Sequence, residues 1–504
     1  MPDHVKSRIV PTLITTICLI GWGVEALDAR SGIEEATMVK AAPDVVAGAT
    51  NLSATGPLKV HPTNSRYFAD KSGQAILLTG SHTWSNLVDG RLPLFDFTKY
   101  LDMLQAYQHN FIRLWTWEHA YVLPSTGGRI EFDPLPYARV GPGLAYDDKP
   151  KFDLTQWNRE YFNRLRTRVI AAQDRGMYVS IMLFEGWSYS GWDWSTKDQG
   201  FRAWDAHPFN ENNNVNGING DLNGDGRGYE VHTLSVPTVT AIQEAYVRQV
   251  VDTVYDLDNV LYEIVNEGRS LSTEWQYHMI NMIKRYETTK PKQHPVGMTA
   301  PAWGAGNAAL WASDADWVSP DLDDGYGDNP PAALGNKVII SDTDHLWGIG
   351  GDQAWVWKSF ARGLNPIYMD PFGRPGFPQA NELVRKNMGY TLSYSRRMRL
   401  EEMVPHGEIA STGYCLTNHK TQYVVFLPAK TYWFDALKIF EGLFGNTATV
   451  DLSQATGVLE VEWFDPRSGE TRRAGTVAGG APTEFKAPFG GDAVLYVRRV
   501  DDAQ

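Results

Sequence analysis

The sequence of 504 residues predicts an α/β fold, a (β/α)8 TIM barrel followed by a C-terminal all-β sandwich domain. Short apolar stretches alternate with stretches of helical period over about 330 residues, and this alternation is typical of a parallel sheet. Eight such apolar stretches can be counted, which is the number of strands that closes a barrel. Helical patterns then stop near Gly407. Short strand-like stretches separated by turn residues follow, as in a sandwich.

The first 29 residues have the organisation of a secretory signal peptide. Lys6 and Arg8 precede an apolar stretch at residues 9–22, and small residues follow at 24–29. The apolar stretch is too short for a transmembrane helix, and the order of charges, apolar residues and small residues is that of a signal peptide. We therefore interpret residues 1–29 as a signal peptide and 30–56 as a linker. The expected localisation is secreted or periplasmic.

The barrel domain is predicted at residues 57–407 and begins with a β-hairpin, because two strand-like stretches flank the turn tetrad Asp70-Lys71-Ser72-Gly73. The eight barrel strands are predicted at residues 76–80, 111–115, 178–183, 260–265, 295–299, 317–319, 338–341 and 366–369. Helices are predicted at residues 97–109, 155–175, 238–255, 272–287, 353–362 and 379–403. A doubly wound open sheet would require a glycine-rich phosphate loop after its first strand, and residues 79–84 do not form one.

The C-terminal domain is predicted at residues 408–504. Its strand-like stretches lie at residues 423–427, 448–452, 459–464 and 492–497. Turn residues such as those at 465–469 separate them, which favours a small β-sandwich.

Charge and cysteine content limit the classes of function. The formal net charge of −13 argues against nucleic-acid binding, which needs a basic surface, and favours a neutral over an anionic glycan. Beyond the N-terminal stretch, the sequence predicts no membrane span. Cys18 falls within the predicted signal peptide, so Cys415 would stand alone in the mature chain, without an intramolecular disulfide.

The ends of strands four and seven carry the candidate catalytic residues, because TIM-barrel active sites lie at the carboxyl ends of the strands. Strand four runs into Asn266-Glu267, and we interpret Glu267 as a catalytic acid/base; the alternative is a structural carboxylate. Glycoside hydrolysis needs a second carboxyl group across the scissile bond. Strand seven lies across the barrel mouth and offers Asp342 and Asp344, followed by His345. A metal-binding or structural acidic pair is the alternative there.

Polar and aromatic residues at the other strand ends are candidates for substrate contact. A buried Arg113 would need a partner, and pairing with the strand-seven carboxylate would keep that carboxylate ionised. The sequence contains 18 Trp and 23 Tyr, and their concentration at strand ends favours platforms on which sugar rings stack. The predicted substrate-binding residues are Asn266, Arg113, His82, Trp84, Trp115, Glu118, His119, Glu185, Trp187, His345, Trp347 and Asp370.

A second candidate site lies in the long loop after strand three. Asp221, Asn223 and Asp225 have the Asp-x-Asn-x-Asp-Gly spacing of a calcium loop, in which alternate oxygens converge on the ion. The twelfth position is His232 and not the glutamate of an EF-hand. A turn-rich loop without metal is the alternative. We expect no cofactor for the chemistry itself and treat calcium as a candidate structural ion.

Three motifs resemble glycoside hydrolase clan A: Phe-Ile-Arg-Leu-Trp at 111–115, Tyr-Glu-Ile-Val-Asn-Glu at 262–267 and Val-Ile-Ile-Ser-Asp at 338–342. Within the clan the chain most resembles the apiosidase-like family, whose members often carry a C-terminal β domain labelled as collagen-binding. The resemblance covers residues 57–499. It implies a retaining O-glycoside hydrolase with Glu267 as acid/base and a strand-seven carboxylate as nucleophile.

The sequence departs from the clan at the nucleophile, which is normally a glutamate, whereas this strand offers only aspartates. Matching the strand end points to Asp342. Matching the Asp/Asn-Gly-Glu pattern of apiosidase-like proteins points to Asp344, which we favour. The shorter side chain leaves an inverting mechanism open, and the carboxyl separation would decide: about 5–5.5 Å for retention and about 6.5–9.5 Å for inversion.

The sequence also allows a function without catalysis. A carbohydrate- or matrix-binding protein on a catalytically degenerate barrel would have the same fold and the same aromatic residues. The acid pair at the barrel mouth is complete apart from the change from glutamate to aspartate, which favours the hydrolase with an oligo- or polysaccharide substrate. A metalloprotease is disfavoured because the sequence lacks a His-Glu-x-x-His motif.

Overall fold

The computed structural model describes residues 53–90, 94–123, 129–186, 203–301, 306–373, 379–429 and 446–500. Eight parallel strands flanked by helices form a barrel in this part of the chain, which confirms the predicted TIM barrel, and further β-sheets lie in the C-terminal region. The predicted signal peptide and most of the predicted linker lie outside the described residues. In the described ranges, every helix is too short or too polar to cross a bilayer.

The barrel strands are numbered β1–β8. From β2 to β8 each strand pairs in parallel with the next, and β8 pairs in parallel with β1. They are β1 Gly80–His82, β2 Phe111–Leu114, β3 Tyr178–Glu185, β4 Val260–Asn266, β5 Val296–Thr299, β6 Trp317–Ser319, β7 Val338–Asp342 and β8 Asn365–Met369. Strands β1 and β2 come together where Asn110 donates its N–H to the Thr79 carbonyl over 3.1 Å. A Cβ atom on Gly80 would lie 2.4 Å from the Phe111 carbonyl oxygen, so this close approach requires glycine.

The helices are α1 Phe97–Ala106, α2 Arg159–Gln173, α3 Pro237–Val254, α4 Thr273–Glu287, α5 Ala308–Ala312, α6 Thr343–Leu346, α7 Gln353–Ala361 and α8 Glu382–Arg396. Short 3₁₀ turns lie at Ala203–Ala206, Tyr229–His232, Ser270–Ser272, Asp323–Gly325, Leu400–Glu402 and Gly407–Ile409. Helix α2 begins at Arg159 and not at residue 155 as predicted, since Asn158 caps it by accepting the N–H of Glu160. Residues up to Trp157 belong instead to a β-hairpin.

That hairpin is part of an insertion after β2 that the sequence analysis did not predict. It pairs Tyr137–Leu144 with Pro150–Trp157. Beside it, Ile130–Asp133 pairs with both Asp89–Gly90 and Tyr121–Val122.

The N-terminal end of the barrel is closed by apolar residues. Three short antiparallel strands, Lys59–Val60, Phe68–Ala69 and Ala75–Ile76, precede β1. The cluster at this end combines residues of this small sheet and its connections with residues near the start of barrel strands: Leu58, Phe68, Leu78, Phe111, Tyr178, Leu261, Trp317 and Val338. Because this end is filled, the carboxyl end of the barrel is left for polar side chains.

The C-terminal region contains a six-stranded and a two-stranded antiparallel sheet. The larger sheet has the order Val404–Pro405, Cys415–Thr417, Gln422–Leu427, Ala493–Arg499, Val458–Phe464 and Thr471–Ala478, and the smaller pairs Thr447–Asp451 with Pro482–Lys486. One face of the larger sheet packs on α7 and α8, with Trp357 and Leu392 against Phe426. The other face packs on the small sheet, with Val425 against Val450. A separate domain at residues 408–504 stays a prediction.

Cys415 lies in this C-terminal region as a buried free thiol. Burial raises the pKa of its thiol, so the group stays protonated.

Candidate active site

The side chains that point into the barrel change from apolar to charged between one inward-facing position and the next toward the carboxyl end of the strands. Side chains two residues apart lie on the same face of a strand. Arg113 therefore follows the inward-facing Phe111, Glu263 follows Leu261, and Asp342 follows Ile340. This spacing brings charged side chains from β2, β4 and β7 to one level near the carboxyl end of the barrel.

Arg113 is the centre of this polar layer. Its Nε and Nη2 atoms donate to the two carboxylate oxygens of Glu263 over 2.8 and 2.5 Å, and Nη2 also donates to Asn266 Oδ1 over 2.7 Å. Nη1 donates to Asp342 over 2.8 Å and to Asp344 over 3.1 Å. Burial disfavours the charged guanidinium, but the carboxylates of Glu263 and Asp342 outweigh it and raise the pKa of Arg113. The cation is therefore permanent and fully paired.

Asp342 is the last residue of β7 and caps the short helix α6. Its Oδ1 accepts hydrogen bonds from His82 Nε2 over 2.8 Å and from the Asp344 N–H over 2.9 Å, and its Oδ2 accepts from Arg113. The side chain is 0% exposed. Burial alone would raise the pKa of Asp342, but His82 and Arg113 outweigh it and hold that pKa below its usual range. Asp342 is thus an ionised carboxylate whose oxygens are both engaged.

Asp344 lies in the first turn of α6, and its side chain is 6% exposed. Arg113 donates to its Oδ2. Burial raises the pKa of Asp344 to about 6, with Arg113 opposing the shift and the charge of Asp342 adding to it. The two acidic residues predicted at the end of β7 therefore differ in both environment and pKa.

Glu267 directly follows β4 and has a backbone φ of 48°, an uncommon and strained conformation for a residue other than glycine. Removal from water, and next the charges of Asp344 and Glu185, raise the pKa of Glu267 well above its usual range. The Glu267 carboxyl group therefore holds its proton to higher pH than an ordinary glutamate, and it lies within electrostatic reach of Asp344.

The end of β3 is held by a group of charged and histidine side chains. The backbone N–H of Glu185 donates to Glu118 Oε2 over 2.9 Å, and His232 Nε2 donates to the same oxygen over 2.8 Å. His207 Nε2 lies 3.7 Å from Glu118 Oε1. Burial disfavours the ionised Glu118, but His232 and His207 lower its pKa to about 2. Glu118 thus serves as an anchor for the backbone of Glu185.

Asn266 is oriented by its neighbours. His345 Nε2 donates to Asn266 Oδ1 over 3.0 Å, and the other ring nitrogen of His345 lies 2.7 Å from Ser319 Oγ. Burial lowers the pKa of His345 to about 3, so the ring is neutral, with Nε2 as donor and Nδ1 as acceptor. Asn266 Oδ1 also accepts from Arg113, which leaves Nδ2 buried without a hydrogen-bond partner among the described residues.

The predicted aromatic residues have different environments. Trp115 is buried, and its ring is nearly parallel to that of His82, with centroids 6.2 Å apart. Trp84 is half-buried. Trp347 is 39% exposed and therefore the best placed to stack on a ligand. Trp187 lies outside the described residues.

Two residues predicted to contact the substrate lie in different surroundings. Arg385 of α8 donates to both oxygens of Asp370 over 2.6 and 2.5 Å, so this buried carboxylate forms an ion pair beyond β8. His119 is enclosed by Trp117 and Phe132, and burial lowers its pKa to about 3. We leave both Asp370 and His119 out of the proposed site.

The structure adds residues that the sequence analysis did not place in the site. Glu263 is the bidentate partner of Arg113, and a charged residue within the apolar stretch of β4 was a signal that could have found it. Ser319, His207 and His232 are brought in by β6 and by the long connection after β3, and short polar segments give no comparable signal.

Two groups of residues offer metal ligands. Asp342, Asp344 and His345 have ligand atoms within 4.8 Å of one another, but Arg113 already binds both carboxylates, which disfavours a further cation. The predicted calcium ligands Asp221, Asn223 and Asp225 lie in one tight turn between β3 and α3. In this turn Asp221 Oδ2 accepts the Gly226 N–H over 2.8 Å, and Asn223 Oδ1 accepts the Asp225 N–H over 2.8 Å.

Comparisons with known proteins agree with the barrel. A family model described as "Domain of unknown function (DUF6298)" matches residues 130–302, a range that includes β3, β4 and Glu267. No curated protein matches the chain.

Two solved structures are similar along most of their length. One, titled "Glycoside hydrolase", has 15% sequence identity and a TM-score of 0.54, and the match covers 88% of this chain and 97% of that one. The other, a glycoside hydrolase family 5 protein from Bacteroides vulgatus ATCC 8482, has 14% identity and a TM-score of 0.57, with 91% and 97% covered. At these identities the likeness shows a shared fold. The apiosidase-like family and the collagen-binding label remain predictions.

Proposed function

We propose that this chain is a retaining O-glycoside hydrolase of neutral glycans, with Glu267 as acid/base and Asp344 as nucleophile. The observation that carries the proposal is the placement of two carboxyl groups, Glu267 after β4 and Asp344 after β7, near enough for the charge of Asp344 to raise the pKa of Glu267. The pKa of Glu267 is raised well above that of an ordinary glutamate, which favours its protonated form. Asp344, with a pKa of about 6, is mostly ionised at neutral pH. A protonated and an ionised carboxyl group at one barrel mouth are the two groups that glycoside hydrolysis needs. The shared fold with glycoside hydrolases supports this assignment.

The reaction would proceed in two steps. In the first, Glu267 donates its proton to the glycosidic oxygen while an Asp344 oxygen attacks the anomeric carbon, so that the glycosidic bond breaks and a covalent glycosyl ester forms. In the second, the ionised Glu267 removes a proton from water, the water oxygen attacks the anomeric carbon, and the ester bond to Asp344 breaks. Both residues return to their starting states, and no cofactor is needed.

Asp344 is a better nucleophile candidate than Asp342. Both oxygens of Asp342 accept hydrogen bonds, and its side chain is 0% exposed. Asp344 accepts from Arg113 through Oδ2 and keeps a small exposure to the mouth. In this assignment Asp342 holds Arg113, His82 and the first turn of α6 in place.

The charges around the site favour a neutral sugar. Arg113 is already paired with the carboxylates of Glu263, Asp342 and Asp344, so it does not offer an open site for an anionic sugar. Asn266 Nδ2 provides a buried donor for a sugar hydroxyl. The 39% exposed Trp347 provides an apolar surface for a sugar ring. The predicted signal peptide would bring the enzyme to extracellular or periplasmic oligo- and polysaccharides.

The experiment that tests the assignment uses aryl glycosides with good and poor leaving groups, after an array of sugars has identified a substrate. Glu267→Ala should lose activity by about 10²–10⁴-fold on the poor leaving group, which needs protonation, and much less on dinitrophenyl glycosides. Azide should restore turnover of Glu267→Ala with a glycosyl azide of retained configuration, whereas Asp344→Ala with azide should give the inverted azide. Glu211→Gln removes an exposed carboxylate in the connection after β3 and serves as the control.

The outcome on product configuration is decisive. NMR of the first product from the unaltered enzyme should show the anomer of the substrate. The opposite anomer would overturn retention and make Asp344 a general base. Glycan binding that persists in Glu267→Gln, together with no hydrolysis of any glycoside by the unaltered chain, would favour the non-catalytic binding protein.

A further inference from the structure

The turn at residues 221–226 contains a buried carboxylate oxygen without a partner. Asp221 Oδ2 accepts the Gly226 N–H over 2.8 Å, so the carboxylate is directed into the turn. Its Oδ1 is buried and has no hydrogen-bond partner among the described residues, and the residue is 8% exposed. A buried carboxylate oxygen left without a donor or a cation is unfavourable. This oxygen is therefore able to serve as a ligand to a cation inside the turn.

Oxygen atoms at the correct spacing share the turn with Asp221. Asn223 and Asp225 follow at the third and fifth positions, and the Arg227 carbonyl is at the seventh. Carboxylate, amide and backbone oxygens at these positions are the ligands that calcium takes in loops of this spacing. Magnesium prefers near-ideal octahedral geometry and retains its water ligands, so a loop that offers several protein oxygens favours calcium.

We propose that Asp221, Asn223 and Asp225 bind one calcium ion in the connection between β3 and α3. The twelfth position, where an EF-hand has a bidentate glutamate, is His232, which donates to Glu118 instead. Without that ligand the site should be weak, with a dissociation constant of about 10⁻⁴–10⁻³ M, as in extracellular calcium modules.

The ion would stabilise the part of the connection that reaches the barrel mouth. The indole of Trp204 packs on both glycines that flank the loop, since a Cβ on Gly220 or on Gly228 would lie 3.1 or 2.1 Å from it. Trp204 also stacks on His207, with ring centroids 5.4 Å apart. His207 and His232 are the two histidines beside Glu118, which holds the end of β3. Calcium bound in the loop would therefore fix both histidines relative to the barrel.

Terbium luminescence tests the site in the full chain after treatment with EDTA, because Trp204 lies beside the loop and can sensitise a bound lanthanide. We expect one saturable site whose emission is displaced by calcium with an apparent dissociation constant of roughly 10⁻⁴–10⁻³ M and by magnesium only at higher concentration. Calcium at about 10 mM should raise the melting temperature by roughly 2 °C or more. The measurement needs no substrate, so it is independent of the proposed hydrolase activity.

Variants decide between this loop and other acidic positions. Asp225→Ala removes an exposed side chain, so the fold should be retained while calcium affinity falls at least tenfold. In Asp221→Asn the terbium emission that calcium can displace should be lost. Circular dichroism checks that this variant is folded. Glu211→Gln removes an exposed carboxylate from the same connection and should leave binding unchanged. Terbium emission that calcium does not displace, or unchanged affinity in Asp225→Ala, would overturn the proposal.

Discussion

Asp344 donates its backbone N–H to the Oδ1 atom of Asp342 over 2.9 Å, so the aspartate that ends β7 caps the turn that presents the second aspartate. The sequence alone offers both aspartates as nucleophile candidates and favours Asp344 only through its resemblance to the apiosidase-like pattern. The hydrogen bond separates them, because a carboxylate that caps a helix and also accepts from Arg113 and His82 has little freedom to attack a substrate. Asp342 therefore fits a positioning role and Asp344 a chemical one.

Replacing each aspartate with asparagine should separate these roles. Asp344→Asn should lower kcat/KM by about 10³-fold or more with little change in stability, because it removes the nucleophile and only one contact to Arg113. Asp342→Asn should lower the free energy of unfolding by roughly 1–3 kcal/mol, because His82 loses its buried carboxylate partner and Arg113 loses one of its three, while Glu263 and Asp344 still pair with Arg113. Urea denaturation and steady-state kinetics measure the two effects. The opposite pattern would exchange the roles of the two residues.

The pH dependence of kcat/KM should be bell-shaped. Asp344 must be ionised to attack, and its pKa of about 6 sets the acidic limb, so activity should fall as the pH drops below about 6. Glu267 must be protonated, and its raised pKa places the alkaline limb well above the usual range of a carboxyl group. Because the two groups interact, the limbs report the pair and not either residue alone.

Glu267→Gln is the control for this profile. With a dinitrophenyl glycoside the variant should keep the acidic limb and lose the alkaline one. An acidic limb below about pH 4 in the unaltered enzyme would argue that another group is the nucleophile.

Glu267→Gln should also stabilise the protein, and only at higher pH. In the folded chain the pKa of Glu267 is raised well above its ordinary value of 4.5. Below about pH 4 the Glu267 carboxyl group is protonated in both the folded and the unfolded state, so it has little effect on the free energy of unfolding. As the pH rises past 4.5 the unfolded state releases this proton and the folded state does not, so the free energy of unfolding falls, by at most about 1.4 kcal/mol per pH unit.

Glutamine cannot ionise, so the melting temperature of Glu267→Gln should exceed that of the unaltered chain by a margin that is small at pH 4 and grows to roughly 2 °C or more at pH 7. Thermal melts at pH 4, 5.5 and 7 measure the margin, with Glu211→Gln as the exposed counterpart. A margin that is constant with pH would argue that Glu267 is ionised in the folded state.

The barrel could be predicted from sequence because its strands are buried on both faces and are therefore mostly apolar. Strand β6 lies where predicted, and β7 extends one residue further, to Asp342. The hairpin of Tyr137–Leu144 and Pro150–Trp157 could not be predicted in the same way. Its first strand contains Gly141, Pro142 and Gly143 and is mostly exposed, so it has neither the apolar stretch nor the alternation that indicates a strand.

The site residues on apolar strands could likewise be predicted from the sequence, whereas those on the long connections could not. Arg113 and Glu267 could be found because each is a charged residue in or directly after an apolar strand, and Glu263 could have been found by that reasoning. The contacts of His207 and His232 with Glu118 depend on how residues far along the connection after β3 come back to Glu118, which no local pattern encodes.

Asn266 should donate a hydrogen bond from Nδ2 to one ring hydroxyl of the substrate. The neutral His345 donates to Asn266 Oδ1, as Arg113 does, so the amide has only one orientation that satisfies both donors. Ser319 lies 2.7 Å from the other ring nitrogen and fixes the tautomer of His345 by donating to it. The buried Nδ2 is then oriented as a donor for a sugar hydroxyl.

Asn266→Ala should therefore lower kcat/KM by roughly 10–100-fold on the parent glycoside, as expected for a lost hydrogen bond to a buried polar group. The same variant should cost little on the monodeoxy glycoside that lacks the contacted hydroxyl, and Ser319→Ala should show a smaller loss with the same deoxy dependence. Kinetics across a series of monodeoxy substrates identify that hydroxyl. If Asn266→Ala costs the same on every member of the series, the residue supports the fold of β4 and does not contact the substrate, since only a direct contact depends on a single hydroxyl.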